Sequence, residues 1–190
     1  MPTLLTVCQE AGAGRARDPF RDTRRARRPP SVPPVDTAPA VFRTVAELEA
    51  AVGRPLGASR WLTVEQGRID GFAEVSGDDQ WVHVDAARAA GGPFGTTIAH
   101  GWLTLSLLPT LAAEVYRIDG ASMAVNYGAD RVRFLSPVPV GARLRATAEL
   151  VSVVRTDTGC RTVFRLMAEL EGGSRPACVA DVVTVWHGVA

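Results

Sequence analysis

The chain has 190 residues and 46% of them are hydrophobic, which is enough to build the core of one domain. The formal net charge is +1, so no strong overall field would draw the protein to nucleic acid or to an anionic membrane. The three cysteines, Cys8, Cys160 and Cys178, have no metal-ligand spacing. With no secretory signal at the start of the chain, they indicate reduced thiols in a cytoplasmic protein.

Residues 1–40 differ in composition from the rest of the chain. They are rich in Arg and Pro and carry seven Arg and four acidic residues, a net charge of +3. The other 150 residues carry 14 Arg and 16 acidic residues, a net charge of −2. Because residues 1–40 lack apolar periodicity, we expect them to form a disordered leader, and residues 41–190 to form a single domain.

Three helices are predicted in the first half of this domain. The stretch "RTVAELEAAVG" has Thr44 as its N-cap and Gly53 at its end. The next helix is expected to start at Thr63 and to stop at Gly77, since its apolar residues have helical spacing. A short helix capped by Asp85 follows. The chain is expected to turn between the last two helices, at "SGDDQWVHVD".

A fourth, apolar helix is predicted from about Ala99. Residues 89–113 contain no Asp, Glu, Lys or Arg, but their first half is too rich in Gly, Pro and Thr for a membrane span. We therefore expect a buried core helix, which Pro109 should kink or interrupt after about two turns.

Beyond Gly120 the sequence alternates polar and apolar residues and is rich in Val. This pattern predicts antiparallel strands, joined by turns at "PVPVG", "DTG" and "GGSRP". Helices followed by a run of strands predict an α+β fold, with the helices segregated from an antiparallel sheet.

Two short stretches are candidates for a catalytic site. Asp78 and His83 follow Gly77, where the chain can fold back, and histidine with a carboxylate suits proton transfer near neutral pH. In "IAHGWLTLSLL", Gly101 opens the apolar helix, so free backbone N–H groups could hold a carbonyl oxygen there. The alternatives are a polar surface turn at Asp78 and a structural role for His100 on the apolar face of the helix. No metal-ligand spacing is present, so no metal site is predicted.

The stretch "SGDDQWVHVDAARAAGGPFGTTIAHGWLTLSLLP" resembles the MaoC-like dehydratase family, in particular its NodN-like branch. "VNYGADRVRFLSPVPVG" is similar to the next block of that family, and the resemblance covers roughly residues 42–188. The family pattern is met by Gly77, Asp78, His83, Phe94, Ile98, Ala99, His100 and Gly101.

The resemblance implies a single hot-dog domain, in which an antiparallel sheet wraps around one long helix, and a homodimer. It implies an (R)-specific enoyl-CoA hydratase without a metal or other cofactor. Asp78 and His83 would activate a water that adds to trans-2-enoyl-CoA, while the Gly101 N–H polarises the thioester carbonyl. Gln80 and His100 are the other candidate substrate-binding residues. One departure is that Gln80-Trp81 stands where the hydratases usually have Asn-Pro.

Three alternative functions fit the sequence less well. A hot-dog thioesterase usually has an acidic residue on the central helix, whereas the first acid here, Glu114, comes late. A non-catalytic acyl-binding subunit has no chemical reason to keep both Asp78 and His83. An Arg-rich nucleic-acid binder would rest on the leader alone.

Overall fold

The structure, a computed structural model, describes residues 38–190. The leader predicted for residues 1–40 therefore lies almost wholly outside the described residues, as does Cys8. The first strand, β1, begins at Ala40, one residue before the predicted start of the domain. Within residues 38–190, no helix has the length and apolar character needed to cross a membrane.

The first helix forms where the sequence predicts it, since its signals are local. Thr44 is the N-cap, and its hydroxyl accepts a hydrogen bond from the Glu47 N–H at 3.2 Å. Gly53, with φ of +78°, follows the end of this helix. The first elements are β1 (Ala40–Phe42), α1 (Val45–Ala51), β2 (Pro55–Ala58) and β3 (Leu62–Thr63).

The second helix, α2, spans Gln66–Ser76. The predicted cap at Thr63 is wrong, because Thr63 lies in β3 and is paired with Arg143 of a later strand, and Glu65 is the N-cap instead. Gly77 ends the helix as predicted, in the left-handed conformation with φ of +73°.

The segment after Gly77 is more helical than the sequence predicts. His83 lies on a short helix, α3 (Trp81–Val84), rather than in a turn. The predicted cap of the next helix, α4 (Ala86–Ala90), is correct, since Oδ1 of Asp85 accepts from the Arg88 N–H at 2.9 Å.

The central helix, α5, spans Gly101–Ala112. Of the kink or interruption predicted at Pro109, the interruption is wrong, since the helix continues through Pro109 to Ala112, and the kink stays a prediction. Proline removes one backbone donor, but the Ala113 N–H still bonds to the Pro109 carbonyl at 3.1 Å. Packing of the buried face of α5 stabilises the helix on both sides of Pro109. This face includes Leu103, Leu107, Leu108 and Leu111.

The second half of the domain is the predicted antiparallel sheet. After α5 come β4 (Tyr116–Ile118), β5 (Met123–Phe134), β6 (Arg143–Thr156), β7 (Gly159–Leu170) and β8 (Cys178–His187). The six strands of the sheet run in the order β2-β6-β7-β8-β5, with β3 also paired to β6. Along β7, alternate residues are buried against the core, as period-2 patterning requires. A small parallel pair, β1 with β4, was not predicted.

Candidate active site

A cavity of about 430 Å³ opens beside the N-terminal end of α5. His83 from α3 and Gly101 from α5 line it together with Phe134 at the end of β5. Much of the remaining lining is apolar and includes Phe94 and Ile98. The cavity thus brings one predicted catalytic side chain and the predicted carbonyl-binding backbone to one apolar site.

His83 is held in one tautomer. Its Nδ1 lies 2.7 Å from the carbonyl oxygen of Ile98, which can only accept, so Nδ1 carries the proton and Nε2 keeps a lone pair. Only 8% of His83 is exposed. Burial lowers the pKa of His83 below its ordinary value of 6.5, although the hydrogen bond to Ile98 acts in the opposite direction. His83 is therefore a neutral base at pH 7.

Asp78 comes directly after the left-handed Gly77, which turns the chain from α2 towards His83. Its side chain is exposed. Ligand atoms of Asp78, His83 and His100 lie within 4.8 Å of one another. A carboxylate oxygen and an imidazole nitrogen at such a separation can share one water molecule, since each hydrogen bond to that water spans about 2.8 Å.

His100 contacts both Asp78 and His83 and so helps to hold them in this arrangement. It is 1% exposed, and its Nε2 lies 2.9 Å from the backbone oxygen of Asp78. Its ring stacks on that of His83, with centroids 3.7 Å apart. The buried Nδ1 of His100 has no hydrogen-bond partner among the described residues. His100 does not line the cavity, so its contacts are those of a tether, and its predicted role in substrate binding stays a prediction.

Gly101 is glycine for a reason that the sequence did not reveal. A Cβ at this position would lie 2.8 to 2.9 Å from ring atoms of Phe134. The Phe134 ring, which packs on the first turn of α5, therefore occupies the space that a side chain at position 101 would need. As the first residue of the helix, Gly101 has an N–H without an intrahelical acceptor.

Gln80 and Trp81 replace the usual Asn-Pro pair. Gln80 is exposed at the N-cap of α3, makes no capping hydrogen bond and does not line the cavity, so its predicted role stays a prediction. Trp81 packs locally, with the Arg88 guanidinium 4.5 Å from its ring centroid. Its ring packs tightly on Gly92, where a Cβ would lie 3.0 Å from the nearest ring atoms.

Gln66, in the first turn of α2, belongs to the site although the sequence pattern does not single it out. Its Oε1 accepts from the Thr97 hydroxyl at 2.6 Å, and its Nε2 donates to the His83 carbonyl at 2.8 Å. One amide thus ties the segment that carries His83 to the segment that leads into Ile98. Nothing in the local pattern distinguishes Gln66 from other polar residues of an amphipathic helix, because both partners are distant in sequence.

The cluster of Asp78, His83 and His100 is also the set of donors closest to a metal site in the described part of the chain. Its geometry is poor for one, however. The two imidazoles are stacked with only 28° between their planes, so their lone pairs lie in two nearly parallel planes, an arrangement that does not favour two ligands pointing at one tetrahedral ion.

Comparison with known proteins identifies the family. The MaoC-like domain model matches residues 47–166, more than half of the chain. The chain therefore belongs to the MaoC-like dehydratase family, and the expected single hot-dog domain is confirmed by its structural neighbours.

Individual relatives agree with this assignment. The chain is 50% identical over 145 residues to 3-hydroxyacyl-thioester dehydratase Z of Mycobacterium tuberculosis, covering 75% of this chain and 95% of the relative. It is 41% identical over 145 residues to nodulation protein N of Rhizobium leguminosarum, covering 75% and 90%. An unliganded R-hydratase of Pseudomonas aeruginosa superposes with a TM-score of 0.60 at 27% identity, covering 77% of this chain and 86% of that one.

Proposed function

We propose that this protein catalyses the reversible hydration of a trans-2-enoyl thioester, such as trans-2-enoyl-CoA, to the (R)-3-hydroxyacyl thioester. The observation that carries the proposal is the proximity of the Asp78 and His83 ligand atoms, within 4.8 Å, beside a cavity that His83 lines with Gly101. The name of the mycobacterial relative, a 3-hydroxyacyl-thioester dehydratase, supports the same reaction class.

In the proposed reaction, Asp78 and His83 hold one water between them. His83 Nε2, which has a free lone pair, and the Asp78 carboxylate withdraw a proton from this water as its oxygen bonds to C3 of the enoyl group. Negative charge moves through C2 to the thioester oxygen. The same pair then returns a proton to C2, so one water is added and the protein ends as it began.

The Gly101 N–H stabilises the thioester oxygen as charge develops on it. This donor lies at the positive end of α5, where the helix dipole favours an anion. The apolar walls formed by Phe94, Ile98 and Phe134 strengthen this interaction because they exclude water.

Hydrolysis of the thioester is less well supported. The fold would need an acidic group on the central helix, and Glu114 follows the end of α5 instead. Its carboxylate is engaged with Arg60, which donates its backbone N–H to Oε2 at 2.9 Å and its Nη2 N–H to Oε1 at 3.0 Å. Glu114 is therefore committed to an ion pair and is not among the residues that line the cavity.

The test is hydration of crotonyl-CoA, measured as loss of the conjugated enoyl absorbance with the product configuration determined. We expect Asp78→Asn and His83→Gln each to lower kcat/KM by about 10²- to 10⁴-fold, since each removes a proton-transfer group. Asp79→Asn is the matched control, an exposed neighbouring acid outside the cluster, and should keep near wild-type activity.

Release of free CoA is monitored in the same reactions. Hydrolysis without hydration would replace the proposal by a thioesterase. Binding of enoyl-CoA without turnover, for short and long acyl chains alike, would leave an acyl-binding subunit.

We also propose that the reaction needs no metal or other cofactor and that the protein is a homodimer. Every step above is a proton transfer or a contact with the chain itself, so activity should survive dialysis against EDTA.

The dimer proposal rests on β5, whose residues Met123–Arg131 are all exposed and which forms one edge of the sheet. An exposed edge strand offers unpaired backbone groups to a second copy.

A further inference from the structure

The cavity beside His83 carries one permanent charge. Arg175 lines it, and among residues 38–190 no other arginine and no carboxylate does so. Most of the other lining residues are apolar. Because Arg175 is exposed, it lies at the solvent end of the cavity. A substrate that enters the cavity therefore encounters a guanidinium group.

The backbone that carries Arg175 is fixed on both sides. Before it, the Gly173 N–H donates a hydrogen bond at 2.9 Å within the turn between β7 and β8. After it, the Ala177 N–H donates to β7 at 2.7 Å. Pro176 follows directly and restricts the Arg175 backbone to extended conformations. The turn thus holds the start of the side chain at a defined place on the cavity rim.

This guanidinium has no ion-pair partner in the described part of the chain. The ion pairs there join acidic residues to other arginines. A guanidinium group presents a planar fork of donors that fits the oxygens of a carboxylate or a phosphate.

We propose that Arg175 binds an oxyanion carried by the thioester substrate, a step that rests on the proposed function and names a specificity determinant for it. The oxyanion is either a phosphate of the thioester carrier or a carboxylate on the acyl chain, because both offer paired oxygens to the fork. A charge at the mouth of an apolar cavity acts mainly on substrate capture, so its effect falls on KM rather than on kcat.

The experiment compares three enoyl thioesters: crotonyl-CoA, crotonyl-pantetheine without phosphate, and an enoyl-pantetheine with a terminal carboxylate. Arg175→Gln should raise KM about tenfold for whichever anionic substrate is recognised, and leave KM for neutral crotonyl-pantetheine unchanged. Arg175→Lys should lie between Arg175→Gln and wild type, since it keeps the charge and loses the fork. The wild-type preference should weaken as salt is added.

Arg54→Gln is the matched control, because Arg54 is exposed and does not line the cavity. An effect confined to crotonyl-CoA identifies a carrier phosphate, and one confined to the carboxylate substrate identifies the acyl chain. Equal effects on charged and neutral thioesters, or no effect, would overturn the inference. Calorimetric binding of all three thioesters, the carboxylate substrate included, gives the same comparison without turnover. An inactive wild type would then overturn the proposed reaction, whereas binding independent of Arg175 would overturn this inference alone.

Discussion

The imidazole rings of His83 and His100 are stacked, with their centroids 3.7 Å apart. Each ring is anchored to a backbone carbonyl, His83 to Ile98 and His100 to Asp78. His100, which is almost completely buried, therefore holds the Asp78 segment, while His83 faces the cavity.

The buried position of His83 predicts the pH dependence of activity. Because burial lowers the pKa of His83 below 6.5, this base stays neutral in mildly acidic solution, and the acid limb of the kcat/KM profile for hydration should lie below pH 6.5. NMR titration of the His83 ring checks the assignment. An acid limb at or above pH 6.5 would contradict the neutral-base mechanism.

The same pKa predicts how stability changes with pH. The unfolded chain binds the proton at its ordinary pKa of 6.5, more readily than His83 does in the folded protein. The free energy of unfolding should therefore decrease as pH falls from 6.5 towards the lowered pKa. Urea titrations at pH 7.5 and 5.5 measure this change, and it should be smaller in His83→Gln. An equal pH dependence in both proteins would exclude His83 as its source.

Gln66 is predicted to act as a positioning residue. Gln66→Ala leaves the Thr97 hydroxyl, which is 1% exposed, without its acceptor, so the free energy of unfolding should fall by about 1–3 kcal/mol. The His83 segment also loses its tie, so kcat should fall more than KM rises. Gln80→Ala is the comparison for stability, since this exposed amide makes no capping bond and its removal should change the unfolding free energy by less than about 0.5 kcal/mol. A normal kcat in folded Gln66→Ala would rule out the positioning role.

The contact between Gly101 and Phe134 predicts a coupled pair of substitutions. Gly101→Ala places a methyl group within 3 Å of the Phe134 ring, and we expect a loss of about 1–3 kcal/mol in unfolding free energy together with reduced activity. Phe134→Leu frees space, so the alanine should be better tolerated in the double variant. Denaturation of all four proteins gives the coupling energy. Strictly additive effects would mean that the contact does not determine the glycine.

The exposed strand β5 predicts the oligomeric state. Tyr127 is 70% exposed and Met123 is 52% exposed on this edge strand. If β5 pairs with a second copy, Tyr127→Lys should shift the protein from dimer to monomer, because a charge on an edge opposes pairing. Val154→Lys is the matched control, an exposed valine on the inner strand β6. Light scattering after gel filtration measures the mass, and a monomeric wild type would refute the dimer.

Local signals in the sequence were sufficient for much of the fold, whereas the candidate site residues were singled out mainly by the resemblance to the MaoC-like family. The caps at Thr44, Gly77 and Asp85 form where predicted, because each depends on hydrogen bonds or backbone angles within a few residues. Alternating polar and apolar residues correctly indicated the long strands, since a strand with one buried face imposes a period of two.

What the tertiary structure decided depends on partners distant in sequence. The strands β1 and β3 are too short to have a period of their own, and they exist because β4 and β6 offer backbone partners. Likewise, Thr63 joins a strand instead of capping a helix. Gln66 and Phe134 gain their places at the site only when folding brings them against Thr97 and Gly101. Such contacts leave no local pattern, because the energy that selects them comes from packing between separate elements.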